Sequence, residues 1–309
     1  MSPALLCVVA GVAAVLVLAS VVGFVLERQA RDEPALATIR NLNARTRSWW
    51  VMTLVLAGAV ALGDAAIVVL FALLSFVALR EFWTLTPSRR GDHRALFLSF
   101  FVVLPLHYWM VGAQWYGVFA ILIPVYGFLI LPAVSTLAGD TRDFLGRSAR
   151  VQWGLMLCVY TISHAPALLM LDTGTDPVLL LLYLVIVAQF SDVLQYVFGK
   201  LLGRTRLAPG ISPSKTVGGL VGGGLSAIAL GTLLAPLTPF EWWQAAGMST
   251  VIVVAGFFGG FVLSAVKRDL GAKDWGYLIH GHGGILDRLD SISFAAPLFF
   301  HLTRYWFTG

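Results

Sequence analysis

The side chains best suited to phosphate or metal chemistry gather in two short stretches. The first runs Ser191-Asp192-Val193-Leu194-Gln195-Tyr196, continues through Lys200, Arg204 and Arg206, and closes on Pro209-Gly210-Ile211-Ser212-Pro213-Ser214-Lys215-Thr216. Asp192 falls near the end of an apolar run, where an ionised carboxylate costs about 2.5–3.5 kcal/mol on insertion scales, so it normally has a partner or a function. A structural hydrogen bond to a neighbouring helix is the plainer of these uses. Ser212, Ser214, Lys215 and Thr216 can all donate hydrogen bonds to phosphate oxygens. The stretch Gly210–Thr216 has the outline of a phosphate-binding P-loop. The glycine required before the lysine is Ser214, however, and no strand is expected ahead of it, which excludes that motif.

The second stretch is denser. It carries Ser264, Lys267-Arg268-Asp269, Lys273-Asp274, then Gly281-His282-Gly283-Gly284 and Asp287-Arg288-Leu289-Asp290. Asp287 and Asp290, three apart, share one face of a helix and could hold a hard cation through oxygen. The glycines around His282 allow close approach of backbone to a ligand. An ordinary solvated loop does not explain aspartates set against the next apolar run. Between the two stretches, Gly218-Gly219 and Gly222-Gly223-Gly224 form glycine pairs at spacing four, which suits close helix packing better than ligand contact.

These residues must be positioned by helices in lipid. Of 309 residues, 58% are hydrophobic and 12% charged, with a mean hydropathy of +0.84. A soluble domain is about one quarter charged, so most of this surface faces hydrocarbon. A net charge of +5 is too small to imply nucleic acid. Cys7 and Cys158 lie in apolar runs without metal-ligand spacing and read as packing residues. The N-terminus lacks a basic region before its first apolar run, so that run reads as an uncleaved span. Runs long enough to span fall at about 4–26, 49–63, 65–83, 95–111, 115–137, 151–171, 177–199, 217–235, 244–266 and 291–307.

With the N-terminus outside, the inward loops are 27–48, 80–94, 138–150, 200–216 and 267–290. Every one of the 21 lysines and arginines except Arg304 falls in them, as the positive-inside rule requires. All four lysines (Lys200, Lys215, Lys267, Lys273) lie in the last two. The expected fold is therefore all-α: a polytopic integral membrane protein of about ten transmembrane helices with no soluble domain. It forms a single membrane domain over 1–309, in which spans 1–171 act as scaffold, 177–290 carries the chemistry and 291–309 is a terminal span.

The two polar stretches together resemble the phosphatidate cytidylyltransferase (CDP-diacylglycerol synthase) family. Its C-terminal signature maps onto Ser264, Lys267, Arg268, Lys273, Asp274, Gly281, His282, Gly283, Gly284, Asp287, Arg288 and Asp290. Its upstream pattern maps onto Asp192, Tyr196, Ser212, Pro213, Lys215, Thr216 and Gly219. The match spans about residues 190–290. Three positions depart from it: His280 stands for a proline, Gln195 for an alanine and Gly218 for a glutamate. The segment Asn41–Trp50 resembles a paralogue branch of the family, and the loss of the glutamate would either alter metal or nucleotide binding or mark a branch acting on another lipid phosphate.

The resemblance implies the reaction of CTP with phosphatidate to give CDP-diacylglycerol and pyrophosphate, in phospholipid biosynthesis. It implies Lys267, Lys273, Asp274, His282, Asp287 and Arg288 as catalytic residues. Substrate would be bound by Asp192, Tyr196, Ser212, Ser214, Lys215, Thr216, Ser264, Arg268, Gly283 and Gly284. Mg²⁺ would be held by Asp274, Asp287, Asp290 and Asp192, with a second cation left open. The partners are CTP, phosphatidate and membrane lipids, with a homodimer left open. The setting is a bacterial cytoplasmic membrane, active-site loops inward. Other classes stay open. A transporter also carries intramembrane aspartates, but its polar residues would be strung through the membrane depth rather than gathered at one face. An inactive scaffold of the same fold, favoured by Gly218, and a lipid kinase are the others.

Overall fold

The computed structural model describes residues 2–30, 32–278 and 283–308. Helices occupy each expected position: α1 (Pro3–Gln29), α2 (Glu33–Leu62), α3 (Asp64–Leu85), α4 (Arg90–Gly112), α5 (Tyr116–Thr136), α6 (Phe144–Met170), α7 (Pro177–Leu202), α8 (Val217–Leu233), α9 (Trp242–Asp269) and α10 (Leu286–Phe307). The chain is thus a polytopic all-α membrane protein. Among the described residues, α1, α3, α4, α5, α6, α7 and α9 are long and apolar enough to cross a membrane. The expectation of about ten spans is not met on that criterion: α8 has 17 residues, and α2 and α10 begin in polar sequence.

Local chemistry sets the ends. Asp176 caps α7 by accepting from the Val178 amide at 3.0 Å, with Pro177 at the first helical position. Gly63, at φ 100°, supplies the backbone sign that lets α2 turn directly into α3. In α4 and α5, π-helical turns at Ser99–Val103 and Leu122–Gly127 accompany Pro105 and Pro124, whose rings cannot complete a regular ladder.

Two stretches expected as loops differ. Residues 33–48 extend α2 rather than forming an open loop. They lie along α1, where Asn43 Nδ2 donates to Glu27 Oε2 at 2.7 Å and Trp50 Nε1 to Ser20 Oγ at 3.1 Å. The 200–216 loop contains an antiparallel hairpin, β1 (Arg206–Ala208) with β2 (Ser212–Thr216). A strand therefore does lead into α8, against expectation. Lys215 lies within that strand instead of a glycine loop, so the arrangement is still not a P-loop.

The centre of the molecule is built by α3, α6, α7, α9 and α10, with Leu79, Ile162, Leu180, Val187, Ile252 and Phe299 fully buried. In lipid, helices associate through close packing and not through apolar transfer, so small residues mark the seams. A Cβ on Gly218 would stand 2.6 Å from the Leu202 carbonyl, and one on Gly219 2.6 Å from that of Gln195. This brings α8 against α7 and supports packing as the use of that glycine run. The starts of α4 and α6 are tied by a buried ion pair, Arg147 Nε to Asp92 Oδ1 at 2.8 Å, both side chains 3% exposed.

Candidate active site

The signature sequence after α9 folds around one carboxylate. Asp287, in the first turn of α10, receives Lys267 Nζ from the end of α9 on Oδ1 at 2.5 Å. Its Oδ2 accepts the amides of Trp275 at 2.8 Å and Gly284 at 2.9 Å. The pair is nearly closed to solvent, with side chains 12% and 6% exposed. Gly283 sits at φ +78°, and a Cβ there would lie 2.6 Å from Asp287 Oδ2. The loop is thus drawn in by its own aspartate, and glycine is what permits that approach.

A second carboxylate holds the loop from beneath. Glu81, buried near the end of α3, accepts the amides of Ile285 and Leu286, each at 2.9 Å. These are orphan donors of a helix start, and an anion there is favoured by both hydrogen bonding and the helix dipole. Sequence reasoning missed Glu81, although a carboxylate inside an apolar span was the available signal.

The other polar stretch meets the same end of the molecule. Lys215 Nζ reaches over α9, donating to the Phe257 carbonyl at 3.1 Å and lying 4.5 Å from the centre of the Phe257 ring. A Cβ on Gly260 would meet Lys215 Nζ at 3.1 Å and Asp290 Oδ2 at 3.3 Å, so this glycine opens the space the two share. Burial pushes the Lys215 ammonium below the usual lysine range, while Asp192 and Asp290 act in the opposite direction. Asp192 Oδ2 accepts from Ser291 Oγ at 2.7 Å, and Asp290 Oδ1 takes the Ser291 amide at 2.8 Å. Asp192, Lys215 and Asp290 therefore form one polar cluster, and Lys267 with Asp287 forms another. The two share α9 and α10.

The remaining expected residues are placed as follows. Thr216 caps α8, accepting from the Gly219 amide at 3.1 Å. Ser264 Oγ donates back to the Gly260 carbonyl at 2.6 Å. Ser212 is buried and Ser214 exposed. Arg268 ties the two loops with donations to the Ile211 and Ala272 carbonyls at 3.5 and 3.4 Å. Lys273 is exposed and Asp274 half-buried beneath Gly283. Arg288 lines a cleft between helices, and its carbonyl accepts Gln189 Nε2 at 3.0 Å. Tyr196 is exposed, with Arg45 and Lys200 at 5.7 and 5.8 Å from its ring. His280, Gly281 and His282 lie outside the described residues.

Mg²⁺ is usually held by one or two carboxylates together with substrate phosphates and water. Asp192 and Asp290 fit that pattern as two carboxylates that converge on one space beside Lys215. Asp287, by contrast, has both oxygens engaged by Lys267 and backbone amides. Among the described residues no group of three or more His, Cys, Asp or Glu forms a cage for a metal. The fit is therefore to an ion shared with bound phosphates.

A model of the cytidylyltransferase family matches residues 43–306. The chain is 38% identical to the uncharacterized protein YnbB of Escherichia coli over 268 residues, covering 86% of this chain and 88% of that one. It is 35% identical to the phosphatidate cytidylyltransferase of Staphylococcus aureus over 129 residues, 41% of this chain and 50% of the relative. With the phosphatidate cytidylyltransferase of Synechocystis it shares 43% identity over 113 residues, 36% of this chain and 38% of the relative. The chain thus spans half or less of those two relatives.

Proposed function

The chain belongs to the cytidylyltransferase family, and on that premise we propose that it transfers a cytidylyl group from CTP to phosphatidate, releasing pyrophosphate and leaving CDP-diacylglycerol in the membrane. The observation that carries this reading is the meeting of the two polar stretches at one end of α9. Lys215 reaches over α9 from β2, beside Asp290, and Lys267 extends from the last turn of α9 to Asp287, so each lysine lies beside an aspartate of α10.

In this reaction an oxygen of the lipid phosphate attacks the α-phosphorus of CTP, and the bond to the bridging β-oxygen breaks. A phosphate monoester has its second pKa near 6, so the attacking oxygen is already anionic at neutral pH and no general base is needed. The obstacle is repulsion between two polyanions. Lys215, Lys267, Lys273, Arg268 and Arg288 supply fixed positive charge where phosphates would meet, which favours the in-line arrangement electrostatically. Asp192 and Asp290 would hold Mg²⁺, which neutralises phosphate charge when bound. Asp287 keeps Lys267 aimed and the loop closed.

Purified protein incubated with labelled CTP, Mg²⁺ and phosphatidate should yield a lipid-soluble cytidine product, lost in EDTA and restored by Mg²⁺ or Mn²⁺. Full activity in EDTA would remove the metal from the proposal. Labelling of some other lipid phosphate, with phosphatidate inert, would replace the substrate.

A further inference from the structure

A cleft of about 420 Å³ opens between α2, α3, α7 and α10. Its walls are apolar, formed by Met52, Val55 and Leu56 of α2 against Leu70, Phe71 and Leu74 of α3. Val51 and Val55 are 61% and 50% exposed, so the α2 side opens to the surroundings of the helices. The polar residues of its lining are Ser48, Gln189 and Arg288, with Gln189 Nε2 donating to the Arg288 carbonyl at 3.0 Å, and they mark its polar end. That end is continuous with the site already described. Arg288 follows Asp287 directly, and Ile285, which lines the cleft, is the residue whose amide Glu81 holds.

We propose that this cleft receives one acyl chain of the lipid substrate, with the phosphate at the Arg288–Gln189 end, and that Leu56 and Leu74 set how long a chain is preferred. The inference rests on the reading of the protein as a lipid cytidylyltransferase. A cationic, hydrogen-bonding head on an apolar channel matches a lipid phosphate and its tail and matches no soluble anion. If a methylene takes about the 30 Å³ of a water molecule, the cleft accommodates roughly fourteen of them. That is one tail, so the second tail of a diacyl lipid stays in the bilayer. Open on the α2 side, the cleft admits a chain laterally without lifting it into water.

The test compares Leu74→Trp, which fills the cleft, and Leu74→Ala, which widens it, with the unaltered protein. Each is assayed in mixed micelles on dipalmitoyl and dihexanoyl phosphatidate. Leu74→Trp should raise KM for the palmitoyl lipid about tenfold or more with kcat little changed, and leave the hexanoyl lipid nearly unaffected. Leu74→Ala should not impair the long-chain lipid more than the short one. Equal effects of Leu74→Trp on both lipids would overturn the assignment. A second arm needs no variant and no turnover: phosphatidate carrying a diazirine near the acyl terminus is photolysed with the unaltered protein. Crosslinks should concentrate on residues 51–56 and 70–74, and labelling spread evenly onto α1 would overturn the proposal. Absence of any cytidylyl transfer by the unaltered protein would sink the reaction itself, and the photolabelling pattern would still report on the cleft.

Discussion

Asp287 satisfies three donors at once, an ammonium and two backbone amides, and this makes its substitution informative. Asparagine keeps one oxygen for the amides but presents an NH₂ group or a neutral oxygen to Lys267, so the lysine loses its counter-charge and its aim. Cytidylyl transfer by Asp287→Asn should fall by two orders of magnitude or more, roughly 3 kcal/mol in the barrier. Melting temperature and loop proteolysis, measured alongside, separate lost aim from lost fold. A folded variant with near-normal transfer would sink the role given to the pair. Glu81→Gln is the companion experiment. It leaves one acceptor where two charged oxygens held the start of α10, so unfolding stability should drop by about 1.5–3 kcal/mol. An unchanged melting temperature would count against the clamp. Asp192, Lys215, Asp287 and Asp290 were legible as polar residues pressed against apolar spans. Glu81 was as visible by that criterion, but its partners are backbone amides more than two hundred residues away, and amides leave no mark on sequence.

Among the elements, hydropathy revealed helix positions and little of how they join. The hairpin at 206–216 escaped notice because Ser-Pro-Ser-Lys-Thr has no apolar alternation to signal a strand. The first half of α2 escaped because its helix is supported by α1 through Asn43 and Trp50, a tertiary effect that overrides a polar composition. The α7–α8 seam gives the element-scale prediction. At position 218 the signature has a glutamate, yet here any Cβ would press on the Leu202 carbonyl. Gly218→Glu should therefore force α8 away from α7, lowering melting temperature and dragging Lys215 off α9, so activity falls instead of rising. Higher activity in that variant would show that the helices separate readily and that the acid was missing for function.

For the whole molecule, the one-sided placement of basic residues leads us to propose that their loops face inward, which labelling can check. In a background of Cys7→Ser and Cys158→Ser, cysteines at Asp172 and Glu241 should react with an impermeant reagent from outside, while those at Arg142 and Lys273 stay protected. Arg147 is unsuitable as a reporter because it is 3% exposed and paired with Asp92. Labelling of Lys273→Cys from outside would invert the topology. The link from Glu81 to Ile285 has a further consequence, for biogenesis. Its two ends are 204 residues apart in the chain, and translation proceeds at about 5–20 residues per second, so Glu81 leaves the ribosome roughly 10–40 s before its partner exists. By the end of that interval the membrane holds nine of the ten helices, with a buried acid among them that still lacks its amide partners. Only delivery of the last helix brings the Ile285 and Leu286 amides to Glu81, so a chain truncated before α10 should lack the clamp and be cleaved faster by membrane proteases than the full chain.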